Sequence, residues 1–198
     1  MKTSIAIGLL VFILFSFFPA HSQDVFVYER NGVKKYFEKT DSIVQIKFKD
    51  GINYNDKLAI AESINPKADI LGISREISIC IPIDKNNLPN YNKLKSDSSV
   101  VYVNQSLKYV DGTIQIPTEK VLARVKEGYK IEEVLDKLNI EYGSFKRIGH
   151  NPNSYLIILK NGESIKTANL LYESGYFEHA QPSFTRFLEM MNTNLCYD

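Results

Sequence analysis

Between Ile43 and Phe48 apolar and polar residues alternate, the period of a strand with one buried face, and Gly51 closes the run. From Asn55 to Ile64 the period changes. Leu58, Ala61 and Ile64 recur at helical spacing behind Asn55, a candidate N-cap. A less regular run, Lys67–Ile73, and a strongly apolar one, Glu76–Ile83, predict two further strands. Leu88, Tyr91 and Leu94 predict a second helix over Leu88–Lys95, and the apolar residues from Val100 predict a closing strand.

The same pattern then returns. A shift of 77 residues (128 − 51) lays Val44–Gly51 on Val121–Gly128 without a gap. Leu58 falls on Leu135, Gly72 on Gly149, Ile79–Ile81 on Leu156–Ile158, and Leu94 on Leu171. Few residues are identical. The agreement lies in apolar phase and glycine position, which is what a shared fold demands. In the second copy Ile131, Val134, Leu135 and Leu138 form the first helical stripe, Ser144–Ile148 and Ser154–Lys160 the middle strands, and Ser164–Glu173 the second helix.

Each copy thus reads β-α-β-β-α-β, with two helices on one face of an antiparallel sheet. Ahead of them, Val25, Val27, Val33, Tyr36 and Phe37 flank Asn31-Gly32, a dipeptide that supplies the two positive φ angles of a type I′ hairpin. The predicted fold class is α+β: two tandem ferredoxin-like domains preceded by an N-terminal β-hairpin. The hairpin takes residues 23–42, the copies 43–111 and 120–187, and an extended linker stiffened by Pro117 takes 112–119. A tail covers 188–198. The predicted core is Phe48, Leu58, Ile79, Ile81 and Leu94 in the first copy. In the second it is Val125, Leu135, Leu138, Leu156, Ile158 and Leu171.

Residues 1–22 stand apart from this pattern. Lys2 is their one charge, Ile5–Phe18 is almost wholly apolar, and Ala20-His21-Ser22 places small residues at −3 and −1. This is a secretory signal with cleavage before Gln23, too short and too poorly flanked for a membrane span. The mature chain is accordingly exported, periplasmic or extracellular. Removing Lys2 leaves 24 − 1 = 23 basic residues against 23 acidic ones. A formal charge of zero argues against nucleic acid or an anionic membrane as partner. With 44% apolar residues and twelve tyrosines there is material for a substantial core. Cys80 sits in an apolar run and Cys196 in the tail; both are read as free thiols, with no disulfide expected.

No catalytic signature is present. His150 and His179 lack partners at metal-ligand spacing, so no metal or cofactor is expected. His150 reads as a turn residue and His179 as a half-buried strand residue. Glu132 and Glu133 are adjacent on a helix and point apart, which makes no acid–base pair.

The run Phe26–Asp41, FVYERNGVKKYFEKTD, followed by a strand, resembles the start of secreted subtilisin-like serine proteases of the Bacteroidetes type. His179-Ala-Gln-Pro-Ser-Phe184 is similar to the Tyr-x-Glu-Pro-x-Phe pattern that closes their propeptides, with Gln181 in place of the glutamate and His179 in place of the aromatic. The resemblance runs from Asp24 onward. The chain stops at Asp198, where the family's protease domain would begin, and no Asp-Thr-Gly, His-Gly or Gly-Thr-Ser-Met-Ala block occurs. It implies a non-catalytic propeptide region, which in the family assists folding and inhibits by laying its C-terminal peptide in the substrate groove as an added strand. Carried over, the groove-binding residues are Phe184, Thr185, Arg186, Phe187, Leu188, Glu189, Met190 and Met191, and the implied partner is a subtilisin-like serine protease, in cis or in trans. Pro182, with no N–H to donate, is expected to end the last strand and free the tail. The competing reading from another class is an envelope or extracellular binding or structural module with no protease partner.

Overall fold

The computed structural model describes residues 25–67, 78–84, 86–187 and 196–197. The elements are β1 (Val25–Tyr28), β2 (Lys34–Phe48), α1 (Tyr54–Ile64), β3 (Ser78–Pro82), α2 (Tyr91–Ser96), β4 (Val100–Lys108) and β5 (Ile114–Val125). They continue with α3 (Ile131–Lys137), β6 (Tyr142–Arg147), β7 (Ser154–Leu159), α4 (Ser164–Glu173), β8 (Phe177–Phe187) and β9 (Cys196–Tyr197). The class is α+β, with every strand pair among the described residues antiparallel. The strand expected over Lys67–Ile73 lies outside the described residues apart from Lys67.

Residues 43–108 and 120–187 pair alike. In the second half the strands lie in the order β8-β5-β7-β6; in the first, β4-β2-β3. Val44 faces Gln105 in one half and Val121 faces Pro182 in the other, an offset of 77 at both partners (121 − 44 and 182 − 105). Both irregularities repeat as well: Thr40/Val44 and Lys47/Phe48 recur as Pro117/Val121 and Arg124/Val125. The middle strand departs from this offset. Val44 faces Ile81, but Val121 faces Ile157, 76 residues on from Ile81 (157 − 81). A one-residue slip moves every side chain to the opposite face. Hence Ile157 and Leu159 are buried, while Leu156 and Ile158 are only half-buried, the reverse of the sequence expectation.

One core cluster joins Val44, Ile46 and Phe48 to Ala61 and Ile64 of α1 and Leu94 of α2. The other joins Val121, Ala123 and Val125 to Val134 and Leu135 of α3 and Leu171 of α4. Helices therefore cover one face of each half. Leu58 and Leu138 stay half-buried, because in α1 the core-facing positions are Lys57, Ala61 and Ile64, and in α3 the helix ends before Leu138. Asn53, two residues before the expected cap, accepts from the Asp56 N–H and starts α1.

The halves meet through a hairpin where a linker was expected. Leu107 pairs with Gln115 and Lys108 with Ile114 across the turn at Asp111-Gly112, so β4 and β5 carry one sheet from half to half. The β1–β2 turn uses the same device. In both, the glycine N–H donates back three residues, to Glu29 O or Tyr109 O, and glycine alone takes positive φ, 79° at Gly32 and 87° at Gly112. This is a turn followed by a glycine bulge, which corrects the type I′ expectation for Asn31-Gly32. Because β2 runs unbroken from the hairpin into the first half, the boundary expected at residue 42 falls inside a strand.

The hairpin leans across onto the second half. Tyr28 stacks on Tyr172 at 4.4 Å and donates to Glu173 at 2.8 Å, and Asn169 donates to Phe26 O. Val27, Phe37 and Leu107 form a third core with Ile165 and Phe184 against it. At the seam, Glu119 accepts from Lys47 (2.7 Å) and Tyr102 (2.6 Å), while Asn104 donates to Pro117 O. Burial pulls the Glu119 carboxyl upward, but the Lys47 and Tyr102 hydrogen bonds outweigh it and hold the group below the usual carboxylate range. Its stabilisation is then present above the ordinary value of 4.5 and lost as pH falls through the lowered folded value. Glu119→Gln is expected to lower the melting temperature near neutral pH and to shrink the drop in melting temperature on acidification. An acid limb as steep as in the unsubstituted chain would place the acid sensitivity elsewhere.

The expectation of two free thiols is corrected. Cys80 is disulfide-bonded, no cysteine is free among the described residues, and the sequence holds one other, Cys196. One cysteine in an apolar run and one near the C-terminus do not reveal in sequence whether they meet; that depends on where the sheet brings the C-terminal strand.

Candidate functional site

Two places bear on function: the end of β8 and a cleft on the helix-free face of the second half.

Pro182 does not end the last strand. It pairs with Val121, and β8 continues to Phe187, with Phe184 opposite Pro117, Thr185 opposite Ile116 and Arg186 opposite Gln115. Among the described residues no strand lies along Phe177–Ser183 on the side away from β5, so the missing proline N–H interrupts no ladder. Thr185 is fully buried, and the Phe184 ring lies 5.5 Å from that of Phe37. These two candidates for groove binding are therefore part of the chain's own sheet and third core. Phe184 packs against the third core beside Phe37. Main-chain pairing carries Arg186 opposite Tyr197 and Phe187 opposite Cys196 in β9. Leu188, Glu189, Met190 and Met191 lie outside the described residues.

The cleft is built by strand register. Val121, Ala123 and Val125 of β5 point into the core, so Leu122 and Arg124 stand on the opposite face. There Arg124 pairs with His179 of β8 on one side and Ser154 of β7 on the other, and Leu122 pairs with Gln181. Arg124 Nε donates to Ser154 Oγ at 3.2 Å, and its Nη1 lies 3.4 Å from Glu178. The β6–β7 turn, with Gly149 at φ 64°, sets His150 at the rim, and the β1–β2 turn brings Arg30. The cavity is about 240 Å³, lined by Arg30, Arg124, His150, Ser154, His179 and Gln181 among others. Burial lowers the His179 pKa; Arg30 and Arg124 lower it further, and Glu178 opposes them.

Four nitrogenous side chains with cationic or donor capacity thus share one opening. Sequence reading treated His150 and His179 separately and overlooked Arg30 and Arg124. No short-range signal links them, since the register of three strands and the docking of the hairpin assemble the set. Among the described residues no group of three or more His, Cys, Asp or Glu is arranged to hold a metal. Nor is any helix among them long and apolar enough to cross a membrane.

No family model, no curated protein and no solved structure matches this chain.

Proposed function

We propose that the chain is an exported, non-catalytic propeptide-like module of the kind that assists folding of subtilisin-like serine proteases and inhibits them, acting in cis within a longer gene product or in trans. In this reading its two halves are tandem ferredoxin-like domains. The supporting observation is the strand order β8-β5-β7-β6 with helices on one face, repeated in part as β4-β2-β3, with the β2–β4 pairing recurring in β5–β8 at an offset of 77 (121 − 44). This order supports the plan the resemblance calls for, and the last strand precedes residues 188–191 in the chain. Since Phe184 and Thr185 are committed to the chain's own sheet, the segment offered to a protease groove is Leu188, Glu189, Met190 and Met191. There it would act by adding a strand.

The test replaces Leu188, Met190 and Met191 together by serine, which keeps Cys196 in place. Inhibition of a subtilisin-like protease by the mature chain should weaken about tenfold or more, as lost strand-addition contacts predict, with the melting temperature unchanged. Unchanged inhibition would remove the groove role, and no inhibition by the intact chain would remove the proposal. A second reading, an extracellular binding module without a protease partner, draws support from the packing of Phe184 and Thr185, which gives β8 a structural task of its own.

A further inference from the structure

We propose that the cleft bounded by Arg30, Arg124, His150 and His179 binds a tetrahedral oxyanion, a phosphate or sulfate group carried on a larger molecule. This inference does not depend on the propeptide reading, because none of these residues lies in the 188–191 segment.

The mature sequence has no net charge, 23 basic residues against 23 acidic, so this concentration of positive groups does not follow from a generally basic surface. Among the cleft's lining residues there is no carboxylate. Glu178, itself half exposed, lies 3.4 Å from Arg124 Nη1 and Ser154 Oγ accepts from Nε, which leaves Nη2 of the guanidinium fork for a ligand. Two guanidinium groups fix planar arrays of donors, and Ser154 and Gln181 add neutral hydrogen-bonding groups. A carboxylate carries one charge and two oxygens. Two arginines and two imidazoles placed around one opening match the three terminal oxygens of a phosphate or sulfate group better. A cavity of about 240 Å³ is larger than such an ion, which is why the group should be borne on a ligand such as a substituted sugar.

The groups facing His179 are Arg30 from the β1–β2 turn, Arg124 on β5 and Glu178 on β8, with His150 across the cleft on the β6–β7 turn. In the free protein burial and the two arginines disfavour the protonated imidazole, with Glu178 opposing them. A bound oxyanion reverses that balance and favours the protonated ring. Affinity for sulfate, which stays dianionic, should therefore rise as pH falls from about 7.5 to about 5.5. Affinity for phosphate should rise less, because phosphate itself takes up a proton with a pKa of about 6 to 7.

The mature chain should be titrated calorimetrically with sodium sulfate, sodium phosphate and sodium acetate at matched ionic strength and both pH values. Glucose 6-phosphate and glucose 6-sulfate should be run alongside, to tell a phosphoryl source from a sulfate one. Both inorganic dianions should bind more tightly than acetate, and one sugar ester more tightly than its inorganic ion. Arg124→Gln and His179→Gln should each weaken binding about tenfold, the scale of a lost charge-assisted hydrogen bond. Arg30→Gln, in an exposed turn where folding is not at stake, should weaken it severalfold. Binding of sulfate no tighter than acetate, or equal binding by the Arg30→Gln and unsubstituted chains, would overturn the assignment.

Discussion

Leu135→Ala is expected to lower the free energy of unfolding by about 2–5 kcal/mol, the range for a leucine removed from a closed core. Leu135 has no exposed surface and sits in the middle of α3, between the β5 residues Val121, Ala123 and Val125 and Leu171 of α4. The helix is short, Ile131–Lys137, and Lys130 provides no side-chain cap, so its place depends on this buried stripe rather than on intrinsic helicity. The cavity left by alanine would border strand backbone, which relaxes little. Leu156→Ala provides the contrast. Its side chain stands on the helix-free face and is only half-buried, and its loss should cost about 1 kcal/mol. Urea titrations of the two variants give the answer. Equal costs would mean that β7 is paired one residue out of the described register.

Gly162→Ala should cost about 2–5 kcal/mol, although it adds a single methyl group. Gly162 has φ +67°, a left-handed conformation that costs a residue with a Cβ about 1–2 kcal/mol. A Cβ there would also lie 2.5 Å from Tyr102 Cγ, against the middle of a ring rather than a movable tip. Overpacking of that kind adds about 1–3 kcal/mol. Tyr102 has little room to yield: it is 6% exposed and its hydroxyl donates to Glu119, which also receives Lys47. The damage should therefore reach the seam between the halves. Gly128→Ala separates the two contributions, since Gly128 has φ +89° with nothing within 4 Å of its added Cβ. It should lose only the backbone part, about 1–2 kcal/mol. If both variants lose the same amount in chemical denaturation, Tyr102 does not close over Gly162.

Much of this architecture was legible in the chain. The alternation at Ile43–Phe48, its return at Val121 and the stripe Ile131–Val134–Leu135 each report a local requirement: a side chain must point to the core at a fixed period. The helix at Ser164–Glu173 appears where its spacing placed it, and the offset of 77 (121 − 44) survives in the pairing of both outer strands. The gapless match misled at β7, because apolar residues at Leu156, Ile157, Ile158 and Leu159 fit either phase and only pairing with β5 chooses between them. Pro182 misled as well, since its lack of an N–H ends a strand only where a neighbour needs that donor.

By itself, then, the sequence determined the local periods, the order of elements and the repeat, because each follows from contacts among near neighbours. Tertiary structure alone decided four things: the joining of the halves through a hairpin, the docking of Tyr28 on Tyr172, the bonding of Cys80, and the meeting of Arg30, Arg124, His150 and His179. Each depends on strand register and turn direction summed over many residues, where a shift of one position would send the same side chains to opposite faces of the sheet.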